Sequence, residues 1–109
     1  MIVLPVPPSV NMLFRNVPGR GRVKTGHYKA WLQEAGLKLK LQRPMPIAGR
    51  YQLTIRIPQK LLGDIDNRIK AVSDLLVQHA LVEDDRHAWK VTVERAPVVE
   101  CEVELAAYE

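Results

Sequence analysis

Two short acidic clusters stand on either side of one predicted helix, and their spacing is suited to holding a cation. The first acidic cluster is residues 64–67, Asp-Ile-Asp-Asn, and Lys70 follows it. The second acidic cluster is residues 83–85, Glu-Asp-Asp. Asp64 and Asp66 are two residues apart on an extended approach to the helix, so their side chains leave the backbone on the same side. Carboxylates this close repel each other unless a positive charge lies between them.

The second acidic cluster is close enough in the chain to return to the first. A helix of about thirteen residues rises roughly 20 Å, and the five residue steps from Ala80 to Asp85 span up to about 17 Å when extended. We therefore expect Asp85 to return to the first turn of the helix, beside the first acidic cluster. Three carboxylates and a lysine at one point suit magnesium, which accepts one or two carboxylates plus phosphate oxygens.

Each of these residues also has a purely structural interpretation. Asp66 is a good N-cap for the helix, and Asp66, Lys70 and Asp74 can form a surface ladder worth about 0.2–0.5 kcal/mol per pair. Asp84 and Asp85 alone are typical of a solvated turn. The Asp-x-Asp pattern of aspartyl-phosphate phosphatases fits poorly, because residues 58–63 separate it from the preceding strand and the chain is short. The joint pattern on both sides of one helix favours the cation site.

The charge of the chain is unevenly distributed. Of its 109 residues, residues 1–60 hold 11 of the 16 Lys and Arg and a single acid, Glu34, whereas residues 61–109 hold the remaining 5 bases and 11 acids. This asymmetry indicates either two mutually attracting surfaces or a surface that attracts polyanions beside a separate carboxylate cluster.

The single cysteine, Cys101, excludes an internal disulfide and favours a reducing compartment. The first residues lack a signal-peptide pattern, and no apolar run is long enough to span a membrane.

The elements that would position these clusters follow from hydrophobic periodicity. Alternation predicts strands over residues 2–6, 51–57, 87–95 and 98–107, with Trp89, Val91, Val93 and Val99 pointing inward. Helical spacing predicts helices from Thr25 or His27 to about Leu41 and from about Asn67 to His79. Residues 9–26, rich in glycine and proline, are predicted to be a loop. Glu100, Glu102 and Glu104 are expected on a solvated face that protects a sheet edge. The resulting order, β-α-β-α-β-β, predicts one α+β domain over residues 1–109 with the helices packed on a mixed sheet.

The motif Asp64-Ile65-Asp66-Asn67-Arg68-Ile69-Lys70, with Asp74 in the same helix and then Asp84-Asp85, resembles the RusA family of Holliday-junction resolvases. The opening Pro5-Val6-Pro7-Pro8-Ser9-Val10-Asn11 is similar to the opening of the same family. The resemblance covers roughly residues 4–93. Two departures are Ala80, where the family often ends its helix with glycine, and Lys60, which stands alone where a basic run often precedes the first aspartate.

The resemblance implies a cytoplasmic, phage- or bacteria-type homodimer that nicks four-way DNA junctions symmetrically with magnesium, or with manganese in its place, and without an organic cofactor. It implies that Asp64, Asp66 and Asp85 bind the metal, that Lys70 is the catalytic lysine and that Asp84 is an auxiliary acid. We expect the phosphates to contact Arg15, Arg20, Arg22, Lys24 and Lys29, because arginine and lysine there supply charge without sequence readout. The other interpretation of this basic loop is a solvated, flexible segment with no partner. The alternative is a DNA-binding protein that retains this fold without catalysis.

Overall fold

The computed structural model describes all residues, 1–109, and its elements follow the predicted order with one addition. The strands and helices are β1 Ile2–Leu4, β2 Phe14–Val17, β3 Gly21–Lys24, α1 Gly26–Gln42, β4 Tyr51–Pro58, α2 Ile69–Gln78, β5 Ala88–Ala96 and β6 Cys101–Ala107. Short 3₁₀ turns cover residues 10–12, 65–68 and 85–87. The addition is the hairpin β2–β3.

The main sheet has four strands in the order β1-β6-β4-β5. β4 pairs parallel with β5, while β6 pairs antiparallel with both β1 and β4. Because β4 and β5 are parallel, the chain between them must cross from one end of the sheet to the other, and α2 makes that crossing. The predicted α+β class with helices on a mixed sheet is confirmed.

β4 shows why only one face of the sheet carries helices. Its residues alternate as predicted: Tyr51, Leu53, Ile55 and Ile57 are fully buried. These side chains belong to one apolar cluster that also contains the inward faces of both helices, Tyr28, Trp31, Leu32, Ala35 and Leu39 from α1 and Ala71, Val72, Leu75 and Leu76 from α2. The opposite face is polar, and there Arg56 pairs with Glu94 and Glu104 at 3.1 Å each.

The helix ends are set by local hydrogen bonds. The Thr25 hydroxyl accepts from the Tyr28 amide and caps α1, as one of the two predicted starts requires. α2 is shorter than predicted, because residues 65–68 form a 3₁₀ turn before it. Asp66 lies inside that turn and does not cap α2, so the N-cap interpretation is wrong. Neither α1 nor α2 combines the length and the hydrophobicity needed to span a membrane.

The predicted loop over residues 9–26 contains ordered structure. β2 and β3 form a separate two-stranded sheet, in which Asn16 pairs with Arg22 and Phe14 with Lys24. The turn is made by Pro18-Gly19-Arg20, with Gly19 at a φ of 77° that favours glycine. Two four-residue strands are too short to show an alternation that outweighs the glycine and proline signals.

The last two strands correct three expectations. Trp89 is 56% exposed, because it is the extra residue of a bulge between the pairs Tyr51–Ala88 and Gln52–Lys90. Val91 is 40% exposed on the edge strand β5, whereas Val93 packs against the core as predicted. Val99 lies before β6 in the connection from β5 and is exposed.

The glutamates of the last strand do not protect an edge. β6 lies between β1 and β4, so it is an interior strand of the sheet. Glu102 and Glu104 face Arg56, and Glu100 binds the ammonium of Lys38 at 2.9 Å just before the strand begins. The three side chains therefore serve as partners for cations of the same chain.

Candidate functional site

The first acidic cluster lies just beyond the end of β4, on a segment held by two arginines. Arg95, near the end of β5, donates to the carbonyls of Gln59, Leu61 and Gly63. Arg68 donates to the carbonyl of Pro7 at 2.8 Å and so ties the opening segment to the same place. Burial lowers the pKa of the Arg68 guanidinium, although the group remains charged at any ordinary pH. The segment that carries Asp64 and Asp66 is therefore fixed through its backbone.

The carboxylates of Asp64 and Asp66 take no part in holding the fold. Both residues are exposed, and neither side chain makes a hydrogen bond or an ion pair within the chain. Asp64 stands at the N-cap position of the 3₁₀ turn but does not bond the free amides there. The backbone is positioned while the two carboxylates remain available, which is the arrangement a ligand-binding pair requires.

Lys70 points along α2 to Asp74. The Lys70 ammonium lies 3.0 Å from one Asp74 oxygen, and the other oxygen accepts a 2.8 Å hydrogen bond from the phenol of Tyr28. Tyr28 is fully buried against Phe14 and Trp31. Burial first, and then the bond to Asp74, raise the pKa of the Tyr28 phenol well above its usual value. Asp74 thus joins an exposed lysine to a buried tyrosine.

The second acidic cluster lies at the other end of the β4–α2–β5 unit. Asp84 and Asp85 begin the 3₁₀ turn that leads into β5, whose first residue pairs with Tyr51 at the start of β4. The first cluster follows the end of β4, and the eight residues of that strand span roughly 20–25 Å at about 3.3 Å each. Residues 80–85 continue toward residues 47–49, where Leu81 and Glu83 accept amides. The expected return of Asp85 to the first turn of the helix is not found.

Local hydrogen bonds lower the pKa of one acid of the second cluster, Asp84, and the cluster lies close to a buried phenol. The backbone amide of Arg86, followed by the neighbouring side chain of Asp85, lowers the pKa of Asp84. Burial, followed by the charges of Asp85 and Asp84, raises the pKa of Tyr51. The hydroxyl of Tyr51 is buried and has no hydrogen-bond partner within the chain.

A cleft of about 420 Å³ connects the second acidic cluster to the helices and to the hairpin. Its polar walls are the carboxylates of Asp74, Asp84 and Asp85, together with Lys24 and Tyr28; Leu32, Val77 and Gln78 complete the lining. Asp85 therefore shares a surface with Asp74, the partner of Lys70, and not with Asp64 and Asp66. A cleft with both signs of charge can accept a phosphate only where a cation offsets the carboxylates.

One chain does not assemble a complete three-carboxylate metal site. No group of three or more His, Cys, Asp or Glu side chains is placed to hold an ion. The acids that are neighbours in the sequence, Asp64 with Asp66 and Asp84 with Asp85, would therefore each supply two ligands at most. Magnesium needs only one or two protein carboxylates when phosphate oxygens and water complete its octahedron.

The predicted DNA-contact residues lie on the hairpin and the start of α1. Arg15, Arg20, Arg22, Lys24 and Lys29 are all exposed. The guanidinium of Arg22 lies 4.0 Å from the ring of Phe14, and the ammonium of Lys24 lies 6.0 Å from the ring of Tyr28. None of the five forms an ion pair with an acid of the chain, so all five charges are available to an anionic partner.

Two tyrosines of this region were predicted only as core residues or strand-face residues. Tyr28 and Tyr51 fit the apolar stripes of α1 and β4, and that pattern does not say where the hydroxyl points. A buried tyrosine usually finds a polar partner for its hydroxyl, and Asp74, one helical turn after Lys70, was the available acid. That rule could have drawn attention to Asp74 before the structure was known.

The chain matches the sequence profile of the family described as Endodeoxyribonuclease RusA over residues 5–106. This match spans both acidic clusters, the hairpin, both helices and the main sheet apart from β1 and the last residue of β6. The chain belongs to the RusA endodeoxyribonuclease family, and membership implies the nuclease activity of a Holliday-junction resolvase. No curated protein matches the chain in a sequence search.

Proposed function

We propose that this protein is a metal-dependent, structure-selective endodeoxyribonuclease that resolves four-way DNA junctions by paired symmetric nicks, in recombination and repair. The observation that carries the proposal is the state of Asp64 and Asp66 in a chain of this family. Their backbone is tied down by Arg95 and Arg68, yet their carboxylates are exposed and bond nothing in the chain. A fold that needed them only for stability would use them as caps or ion pairs.

The proposed roles follow the family motif position by position. Asp64, Asp66 and Asp85 are the metal-binding carboxylates, Lys70 is the catalytic lysine and Asp84 is an auxiliary acid. Lys70 supplies a positive charge where negative charge develops on the phosphate during cleavage, an interaction that is strongest in the transition state. Asp74 holds the Lys70 ammonium at 3.0 Å and limits where that charge points.

The proposed ion is magnesium, with manganese as a substitute. When bound, such an ion neutralises charge on the scissile phosphate and lowers the pKa of a water that attacks it. Since Asp64 and Asp85 lie at opposite ends of the β4–α2–β5 unit, a single ion held by both would need carboxylates from two protomers.

The proposed DNA contacts are made by the hairpin and the first turn of α1. Arg15, Arg20, Arg22, Lys24 and Lys29 would neutralise phosphates and orient the duplex arms without reading sequence. Lys24 supports this assignment most directly, because it lines the same cleft as Asp74 and Asp85. A phosphate held there by Lys24 would lie next to the second acidic cluster.

The proposed assembly is a homodimer. A four-way junction presents two equivalent strands, and a chain with one site would cut both by matching the two-fold symmetry of the substrate. We place this activity in the cytoplasm of a bacterial or phage-infected cell, where recombination intermediates occur. In this proposal the protein uses no organic cofactor and does not associate with a membrane.

The test is incubation of the protein with a synthetic four-way junction, with and without magnesium, mapping the nicks on all four strands. We expect paired nicks at symmetric positions on opposing strands that depend on the divalent ion, and little cleavage of a linear duplex of the same sequence. Nicks that are equally frequent on linear duplex would contradict the structure selectivity.

The second candidate, a non-catalytic junction-binding protein, is favoured if the junction is bound tightly and never cut with either magnesium or manganese. The available carboxylates of Asp64 and Asp66 argue against it.

A further inference from the structure

β5 leaves one edge of the main sheet open. It is the last strand in the order β1-β6-β4-β5, so only β4 pairs with it. The strand is nine residues long, and its bulge at Trp89 leaves residues 90–96 in regular register with β4. An edge of this length exposes a row of backbone N–H and C=O groups that can pair with another strand. The apolar side chain of Val91 is also 40% exposed there.

The sequence of this edge is self-complementary. Residues 90–94 read Lys-Val-Thr-Val-Glu. If two copies pair antiparallel about Thr92, each Lys90 lies opposite the partner's Glu94, and each Val91 lies opposite the partner's Val93. Opposite charges and β-branched pairs directly across an antiparallel ladder are both stabilising. Shifting the centre by one residue pair to Val91 or Val93 places Lys90 opposite a threonine or an alanine and loses both charge pairs.

We propose that β5 is the dimer interface of this protein, formed with a second copy of the chain through an antiparallel pairing centred on Thr92. The inference deepens the proposed function, because it rests on the homodimer and names the surface that forms it. The two sheets would join into one of eight strands. Residues directly opposite in such a ladder share a face, so the helices of both protomers would lie on the same side.

The internal contacts of β5 are compatible with this pairing. Lys90, Thr92 and Glu94 lie on the open face of the sheet, in register with Gln52, Thr54 and Arg56 of β4. Lys90 makes no ion pair within the chain, so its ammonium is available to the partner's Glu94. Glu94 already accepts from Arg56 at 3.1 Å and is half exposed, which leaves its second oxygen accessible. The pairing would complete a charge ladder of Arg56, Glu94 and the partner's Lys90.

A cysteine at the centre of the pairing provides the first test. In an antiparallel ladder Thr92 would face its own copy at a Cα separation of about 4.5–5.5 Å, which lies within the range for a disulfide. We expect Thr92→Cys to form a covalent dimer under oxidised glutathione, read on a non-reducing gel. The matched control is Thr54→Cys, on the same face and in register with Thr92 but one strand inside the sheet, and it should remain monomeric on the gel. Cys101 is fully buried and does not compete.

A charge swap provides the second test. Lys90→Glu and Glu94→Lys each replace two attractive pairs with two repulsive ones, so each should raise the dimer dissociation constant at least about tenfold. The double variant Lys90→Glu/Glu94→Lys should restore the constant to within about threefold. Glu104→Lys is the control, because it removes the other acid bound to Arg56 without facing the edge. Sedimentation measures the constants, and thermal melting verifies that each variant is folded.

The outcomes separate the interface from the enzyme. The β5 interface is overturned if the wild-type chain sediments as a monomer at high concentration. It is also overturned if the dimer dissociation constant is unchanged by both single charge swaps and Thr92→Cys fails to cross-link. Symmetric nicking by the same protein would then leave the nuclease intact with a different interface. A dimer that cross-links and responds to the swaps but never cuts a junction supports the interface and contradicts the nuclease.

Discussion

The phenol of Tyr28 donates a 2.8 Å hydrogen bond to the carboxylate of Asp74. Tyr28 belongs to the buried face of α1, and Asp74 holds the ammonium of Lys70 at 3.0 Å on the surface of α2. The orientation of the proposed catalytic lysine is therefore linked to the packing of the two helices. A change in the core at Tyr28 is transmitted to the surface through one carboxylate.

Replacing Tyr28 with phenylalanine should lower the free energy of unfolding by about 1.5–3 kcal/mol, the range for a hydrogen bond to a charged group. We expect the lower end, because Asp74 is partly exposed and water can replace the phenol. Urea titration measures the change. Tyr108→Phe is the control, since that phenol makes no hydrogen bond and should change stability very little. Equal effects of the two substitutions would show that the bond to Asp74 does not stabilise the fold.

Stability should fall as the pH rises above about 9. Burial raises the pKa of the Cys101 thiol from 9.0 to about 12. A group whose pKa is higher in the folded state stabilises the protein fully at pH values below its pKa in the unfolded chain. This stabilisation is lost as the pH rises from the unfolded-state pKa to the folded-state pKa, by up to about 1.4 kcal/mol per pH unit. Urea titrations at pH 8, 9 and 10 test this. The Cys101→Ala variant should be less stable than the wild type at every pH, but its free energy of unfolding should fall less between pH 9 and 10. An equally steep fall in the variant would show that other groups cause the pH dependence.

Replacing Ala80 with glycine should stabilise the protein by about 1 kcal/mol. Ala80 follows α2 with a φ of 56°, a left-handed conformation that a Cβ makes costly. The amide of Leu81 reaches the carbonyl of Leu76 at 2.9 Å, which completes the helix end around that residue. Ala30→Gly, in the exposed interior of α1, is the control and should destabilise by about 0.5–1 kcal/mol. A loss of stability in both variants, measured by thermal melting, would contradict the assigned conformation.

Asp66→Asn and Asp85→Asn should each slow single-turnover nicking at least about a hundredfold, equivalent to about 2.7 kcal/mol of barrier. The melting temperature should hardly change, because neither carboxylate forms an ion pair in the chain. Binding of the junction without metal should survive or tighten, since a charge that repels phosphate has been removed. Glu34→Gln, an exposed acid on α1, is the control and should cut at the wild-type rate. Near-wild-type nicking by either aspartate variant would contradict its catalytic role.

The affinity for a junction should fall steeply with salt, with a slope set by the number of neutralised phosphates. Arg20→Ala, at the tip of the hairpin, should weaken binding and make the slope of log K against log salt shallower by about 1. Lys40→Ala, an exposed lysine near the other end of α1, should leave the slope unchanged. Gel-shift titrations without divalent ions at several salt concentrations measure both. An unchanged slope for Arg20→Ala would remove the hairpin from the contact surface.

The parts of the fold that depend on periodicity were predictable from the sequence. The alternation in Tyr51–Ile57 and the spacing of Tyr28, Trp31 and Leu32 identify buried faces directly, because burial of those residues is what creates the pattern. Periodicity does not say whether a neighbouring element covers the face. Val91 was predicted inward and lies on the correct face, yet the edge position of β5 leaves it half uncovered.

The geometry of the candidate site was harder to predict. The segment from Ala80 to Asp85 is long enough to run back along α2 or away from it, and its length does not distinguish the two paths. The parallel pairing of β4 and β5 makes the choice, since it requires the chain to enter β5 at the end where β4 starts. That pairing is a long-range contact that one sequence does not reveal. The residue types of the two acidic clusters were visible from the sequence, and their separation was not.

The interior position of β6 has a consequence for how the chain folds. β6 lies between β1 and β4, and its Val103 pairs with Ile2, about a hundred residues earlier. Until β6 has been synthesised, β1 has no neighbour in the sheet and β4 has one unpaired side. The nascent chain can form its helices early, but the sheet closes only after residues 101–107 leave the ribosome. Pairing between such distant segments is slow, so the assembly of the sheet is expected to be the rate-limiting step of folding.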